Sequence, residues 1–130
     1  MESQGCNQPD DLHRNDWVTR PGAGIFWWCL PIFIGFVANL FALPTRGVAL
    51  IWVVLFAWMG TGCILNARRC HRLHCYISGP AFLLGALALA LGLLAAGLLP
   101  IGSRALSSIV GITLLAALLS FVPEIWKKYL

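Results

Sequence analysis

Long apolar stretches separated by short polar segments make up most of this chain. They cover about residues 25–43, 48–65, 80–101 and 105–122. Each is close to the roughly 20 residues that a helix needs to cross a hydrocarbon core about 30 Å thick. Backbone groups in lipid must be hydrogen-bonded within their own segment, so we expect four transmembrane helices. The connections at 44–47 and 102–104 are short, which predicts two antiparallel hairpins in an all-α membrane protein.

The composition supports a membrane environment. Of 130 residues, 59% are hydrophobic and only 11% are charged, whereas a soluble domain carries roughly 25% charged residues. We therefore expect a single transmembrane domain over residues 25–130, preceded by a polar cytoplasmic tail over residues 1–24. The net charge of +4 is modest, and no basic tail with interleaved aromatic residues indicates a nucleic-acid partner.

The basic residues are shared unevenly between the two sides that four spans would create. One side has only Arg46 and Arg104. The other side, which includes both termini and the central segment, holds Arg14, Arg20, Arg68, Arg69, Arg72, Lys127 and Lys128. Positive charge in short segments favours the cytoplasm, so we expect both termini there, in a multi-pass protein of the cell inner membrane. Arg68, Arg69 and Arg72 would act as topology anchors that also contact anionic lipid.

The central segment, residues 66–79, is interpreted as a basic loop rich in cysteine and histidine. It holds Cys70, His71, His74 and Cys75. Two thiols and two imidazoles suit Zn²⁺, and thiolates also attract softer ions such as Cu(I) or Hg(II). A flexible loop would let the four side chains surround a single ion. The sequence therefore predicts a site for a thiophilic or borderline metal ion, Zn, Cu or Hg.

Further thiols lie toward the same membrane boundary. Cys63 is near the end of the second span and Cys29 near the start of the first, so both are candidate metal ligands or relay thiols. If the second helix continues beyond its span, one helix face would hold Cys63, Asn66, Cys70 and His74. The competing interpretation is that Cys29 and Cys63 only fill space, because free cysteine behaves as a small apolar residue.

Small residues recur every four positions on the last two spans. They are Ala88, Gly92 and Ala96 on the third span and Ser107 and Gly111 on the fourth. Such residues let helix backbones approach closely in lipid. They support an alternative function, a structural or accessory subunit that binds a larger membrane protein or a second copy of itself. The basic loop would then act only as a topology and lipid anchor.

Other chemistry is largely missing from the sequence. No Asp, Glu, Lys or Arg lies within a predicted span, so a proton-coupled transporter would have no ionisable relay. The sequence has no phosphate-binding loop, no Ser/His/Asp set and no paired carboxylates. We therefore do not expect an enzyme.

The central segment also carries a recognisable pattern. From Asn66 to Pro80 the chain reads N-A-R-R-C-x-R-x-H-C-Y-x-x-G-P, which resembles a signature of small bacterial polytopic membrane proteins. In size and thiol content the chain is also similar to mercuric-ion transport membrane proteins. Those carry an adjacent cysteine pair in the first helix, where this chain has the single Cys29. The signature implies kinship with small bacterial membrane proteins. The cysteine and histidine cluster leads us to expect that the protein handles a soft or borderline metal ion in transport, delivery or resistance.

Overall fold

The described part of the chain is helical. The computed structural model describes residues 17, 20–41, 43–71, 73–95 and 102–122, and no strand occurs among them. The helices are α1, made of the consecutive segments Pro21–Gly24, Ile25–Cys29 and Leu30–Leu40, then α2 (Thr45–Cys70), α3 (Leu73–Ala95) and α4 (Ser103–Leu119). The prediction of an all-α protein is confirmed.

Helix length and composition indicate a multi-pass membrane protein. Among the described residues, three helical stretches are long and apolar enough to cross a membrane: Gly22–Leu40, Thr45–Arg69 and Leu73–Ala95. The fourth helix, α4, is apolar but has only 17 residues. Many large apolar side chains point outward, including Phe33, Phe36 and Leu94. Such an apolar exterior suits contact with lipid rather than water.

A wide helical turn interrupts α1 at Ile25–Cys29, where the backbone N–H of Leu30 donates to the carbonyl of Ile25. We attribute this π-helical turn to Pro31, which lacks an N–H and whose ring would clash with the carbonyl four residues earlier. The turn contains Trp27 and Trp28. Both rings face α2, where Gly62 leaves room for Trp27: a Cβ on this glycine would lie 2.7 Å from the indole ring.

The second and third helices extend well into the segment expected to be a loop. The second helix runs past Leu65 to Cys70, and the third begins at Leu73 rather than near Gly79. The chain reverses around His71, which has left-handed dihedral angles (φ 49°, ψ 34°) and donates its N–H to the carbonyl of Ala67. Helix persists here because the polar side chains of this segment bond one another across the α2–α3 interface.

The largest interface in the described chain joins α2 and α3, with α1 against α2 and α4 against α3. Glycines allow the close approaches. A Cβ on Gly60 of α2 would lie 2.9 Å from Leu83 of α3. A Cβ on Gly85 of α3 would lie 2.5 Å from Thr113 Oγ1 of α4. The helices therefore meet at contacts that larger residues would separate.

The small residues noted on the last two spans do not form the contact between α3 and α4. Ala88, Ser107 and Gly111 are exposed and Gly92 is half-buried, while Ala96 falls outside the described residues. A Cβ on Gly111 would meet nothing within 4 Å. Within this chain Gly85 packs closely against Thr113 of α4, and the role of the stripes in binding a partner stays a prediction.

Candidate functional site

A buried polar cluster lies between α2 and α3, on the side where the two helices are joined at His71. We call it the thiol cluster, and it consists of Cys63, Asn66, His74, Cys75 and Ser78. Each of these residues is at most 2% exposed. Residues three or four positions apart share one face of a helix, so α2 contributes the first two and α3 the others. The two faces meet because α2 and α3 pack along their length.

The thiol of Cys63 is contacted from two other helices. Trp28 of α1 donates its indole N–H to the Cys63 sulfur at 3.2 Å. The hydroxyl of Ser78 donates to the same sulfur at 3.4 Å and to the carbonyl of His74 at 2.8 Å. Cys63 also shares a side-chain hydrogen bond with Cys75. The two thiols, one from α2 and one from α3, are therefore neighbours in the cluster.

The thiol of Cys75 has a separate set of neighbours. The Nε2 atom of His74 lies 3.2 Å from its sulfur, and the Asn66 amide donates to that sulfur at 3.6 Å. The amide oxygen of Asn66 accepts a hydrogen bond from the backbone N–H of Trp17 at 3.1 Å. Both cysteines are free thiols. A buried site this polar is stable because its side chains form hydrogen bonds with one another.

Aromatic rings close two sides of the cluster. The His74 ring stacks on Phe121, which follows α4, with centroids 4.3 Å apart. Trp17 stacks on Trp27 at 5.2 Å, and the Arg69 guanidinium lies 5.0 Å from the centroid of the Trp17 ring. The cation lies within the range of a cation–π contact. These contacts help to exclude water from the thiols.

The predicted metal ligands are divided by the fold. Cys63, His74 and Cys75 come together in the thiol cluster, whereas Cys29 is exposed. His71 is exposed at the reversal, where its Nδ1 lies 3.0 Å from the Tyr76 hydroxyl oxygen. In the part of the chain that the structure describes, no three or more His, Cys, Asp or Glu side chains are grouped to hold a metal ion.

Four predicted residues fall between positions 68 and 72, near the end of α2. The backbone of Cys70 ends α2, but its side chain lies outside what the structure describes. Arg72 is also outside the described residues, while Arg68 and Arg69 are exposed near the end of α2. The alternative of one helical stripe from Cys63 to His74 does not hold, because α2 ends at Cys70 and α3 begins at Leu73.

Sequence reasoning missed two donors to the Cys63 sulfur. The sequence did not single out Trp28, and Ser78 was interpreted as part of a loop. A signal for Ser78 was present, since it follows His74 by four positions and shares its helix face. No comparable signal pointed to Trp28, because its position depends on the wide turn in α1.

Comparisons with known proteins add no family to this description. No protein-family model matches the chain, and no curated protein or solved structure is significantly similar to it.

Proposed function

We propose that this multi-pass membrane protein binds a soft metal ion at Cys63 and Cys75 and handles it in transport, delivery or resistance. The observation that carries the proposal is the pair of neighbouring free thiols from different helices, buried beside an imidazole. Thiolates are the ligands that select Cu(I) and related soft ions. Such an ion needs only two of them, so the proposal does not require the four-residue site predicted for a loop.

The neighbouring side chains suit this role. The 3.2 Å between Cys75 Sγ and His74 Nε2 is close to the roughly 3.5 Å that separates a sulfur and a nitrogen ligand on one tetrahedral ion. His74 therefore lies beside the Cys75 sulfur, although the described residues do not group three ligands around one point. Metal binding would release the thiol protons, and hydrogen bonds from Trp28 and Asn66 would keep the two sulfurs in place, as outer contacts of metal ligands commonly do.

Membrane orientation is the second part of the proposal. With α4 as a fourth span, both termini and the α2–α3 reversal would lie in the cytoplasm, following the excess of basic residues on that side. The exposed Arg68 and Arg69 would then contact anionic headgroups of the inner membrane. The buried thiol cluster would then lie near the reducing cytosol, which keeps cysteines as free thiols.

Copper binding by purified protein tests the proposal. Cu(I) is supplied in competition with a chromogenic chelator, and bound copper is measured per chain. We expect the wild type and the control Cys29→Ser to retain one ion, because Cys29 is exposed and outside the cluster. The double variant Cys63→Ser/Cys75→Ser should lose it. Equal copper in all three proteins would refute the proposed site.

The accessory-subunit alternative predicts a different pattern. Replacing both cluster cysteines would leave cellular function intact, whereas Gly111→Leu would disrupt co-purification with a membrane partner. Gly111 suits this comparison because it is exposed and an added Cβ meets nothing within the chain.

A further inference from the structure

Trp17 lies before α1 and contacts the thiol cluster through its backbone. Its N–H donates to the amide oxygen of Asn66 at 3.1 Å, and the amide nitrogen of the same side chain donates to the Cys75 sulfur at 3.6 Å. One amide can serve both partners because its oxygen accepts and its nitrogen donates. Asn66 and Cys75 are fully buried, whereas Trp17 is half-buried. A single buried side chain therefore separates a partly exposed residue from a thiol.

The Trp17 ring rests on an aromatic side chain that is itself held by two helices. It stacks on Trp27 of α1, with centroids 5.2 Å apart and ring planes 5° from parallel. Trp27 makes edge contacts with Phe26 at 5.6 Å and with Trp58 of α2 at 5.9 Å. A Cβ added to Gly62 of α2 would lie 2.7 Å from the Trp27 ring. Trp27 therefore cannot move without disturbing α1 and α2, and it provides a fixed surface for Trp17.

A cation also contacts the Trp17 ring. The Arg69 guanidinium lies 5.0 Å from the ring centroid, within the range of a cation–π contact, and Arg69 is exposed near the end of α2. Trp17 is thus held by a hydrogen bond, a ring stack and a cation contact, whereas the two thiols lie between helices that pack along their length. A segment held by surface contacts opens at a lower free energy than packed helices separate. We therefore expect the protein to open locally at Trp17 before the helices move apart.

We propose that Trp17 is the gate of the thiol cluster and that its displacement opens the route to Cys75. When the ring leaves Trp27, the Trp17 N–H also leaves the Asn66 oxygen, and water takes its place. The Asn66 amide is then free to turn away from the Cys75 sulfur, which an incoming ion or reagent can reach. As a gate for a metal ion, this role rests on the proposed function. As control of access to a thiol, it requires no metal.

The second thiol should respond much less to this opening. The Cys63 sulfur accepts hydrogen bonds from Trp28 of α1 and Ser78 of α3, and neither bond involves Trp17. Displacement of Trp17 alone leaves both donors in place, whereas a general loss of helix packing would expose both thiols together. Comparing the two thiols within one molecule therefore separates a gate from a residue that only supports the fold.

Alkylation of the two thiols measures the gate without any metal. The protein in lipid nanodiscs receives timed pulses of N-ethylmaleimide, and arginines between Cys63 and Cys75 let trypsin place them on different peptides for mass spectrometry. Buried thiols are inert, so the rate at each cysteine follows the population of the state that exposes it. In Trp17→Ala, which loses the ring stack and the cation contact, Cys75 should react about tenfold faster. The rate at Cys63 should change little.

Two matched pairs of variants complete the experiment. Trp17→Tyr keeps an aromatic ring for both contacts and should restore the slow rate at Cys75. Arg69→Gln should raise that rate about twofold to fivefold, while the control Arg68→Gln, which removes a charge from the neighbouring exposed position, should leave it unchanged.

An unchanged Cys75 rate in Trp17→Ala would overturn the gate, and so would equal acceleration at Cys63 and Cys75. Equal effects of the two arginine variants would also count against it. These outcomes are independent of the copper measurement, because a protein that binds no copper can still show gated alkylation, and an ungated protein can still bind copper.

Discussion

The approach of α4 to α3 at Gly85 provides a quantitative test of the fold that surrounds the site. In Gly85→Ala the new Cβ would lie 2.5 Å from Thr113 Oγ1 and 2.7 Å from its Cγ2. Thr113 cannot move easily, because its side chain is branched at Cβ and its hydroxyl donates to the Ile109 carbonyl at 2.8 Å. The helices must therefore separate to accommodate one methyl group.

The expected cost follows from two opposing terms. Overpacking of this kind destabilises a folded protein by about 1–3 kcal/mol, while alanine gains about 1 kcal/mol over glycine within a helix. Gly111→Ala is the matched control. Its new Cβ meets nothing within 4 Å, so only the gain from the higher helix propensity of alanine applies. The free energy of unfolding of Gly85→Ala should be lower than that of the control by about 1–3 kcal/mol.

Unfolding in mixed detergent micelles, followed by far-ultraviolet circular dichroism, measures this difference. The variant Thr113→Ala removes both clashing atoms and leaves its own Cβ 3.1 Å from the new methyl group. The double variant with Gly85→Ala should therefore recover most of the lost stability. Effects that add to within about 0.3–0.5 kcal/mol would show that the two residues do not meet, and would refute the packing.

Three further predictions concern the site and its orientation. Trp28→Phe keeps the ring but removes the donor to Cys63, so Cu(I) affinity measured by chelator competition should fall about 10–100-fold; an unchanged affinity would count against the contact. His71→Val places a β-branched residue in the left-handed region and should lower unfolding free energy by roughly 1–2 kcal/mol, while His71→Gly should not. Arg104→Cys should react with an impermeant maleimide on intact cells and Arg68→Cys only after permeabilisation, and the reverse pattern would contradict the proposed orientation.

The apolar helices were predictable because length and hydropathy decide whether a segment can cross lipid. The extension of α2 to Cys70 and of α3 back to Leu73 was not, since Asn66, His74 and Ser78 carry polar groups typical of a loop. Those groups are tolerated in helices because Asn66 and Ser78 each bond a cysteine sulfur of the facing helix, and the His74 ring stacks on Phe121 beyond α4. Such pairing is a tertiary property and is not visible in the local sequence.

The candidate site was predicted in part for the same reason. The sequence predicted that His74 and Cys75 act together. Their shared burial depends on α3 beginning at Leu73. Cys63 was treated as a secondary ligand, yet it lies beside Cys75 once the helices reverse near His71. The reversal point decides which residues face each other, and a non-glycine residue in the left-handed region gives little warning of it.

X-ray absorption at the copper edge of the Cu(I)-loaded protein tests most directly whether thiols from α2 and α3 share one metal ion. The account predicts two sulfur neighbours around copper in the wild type and one in each of Cys63→Ser and Cys75→Ser. An unchanged sulfur count in both single variants, or a wild-type spectrum with only nitrogen and oxygen neighbours, would contradict it.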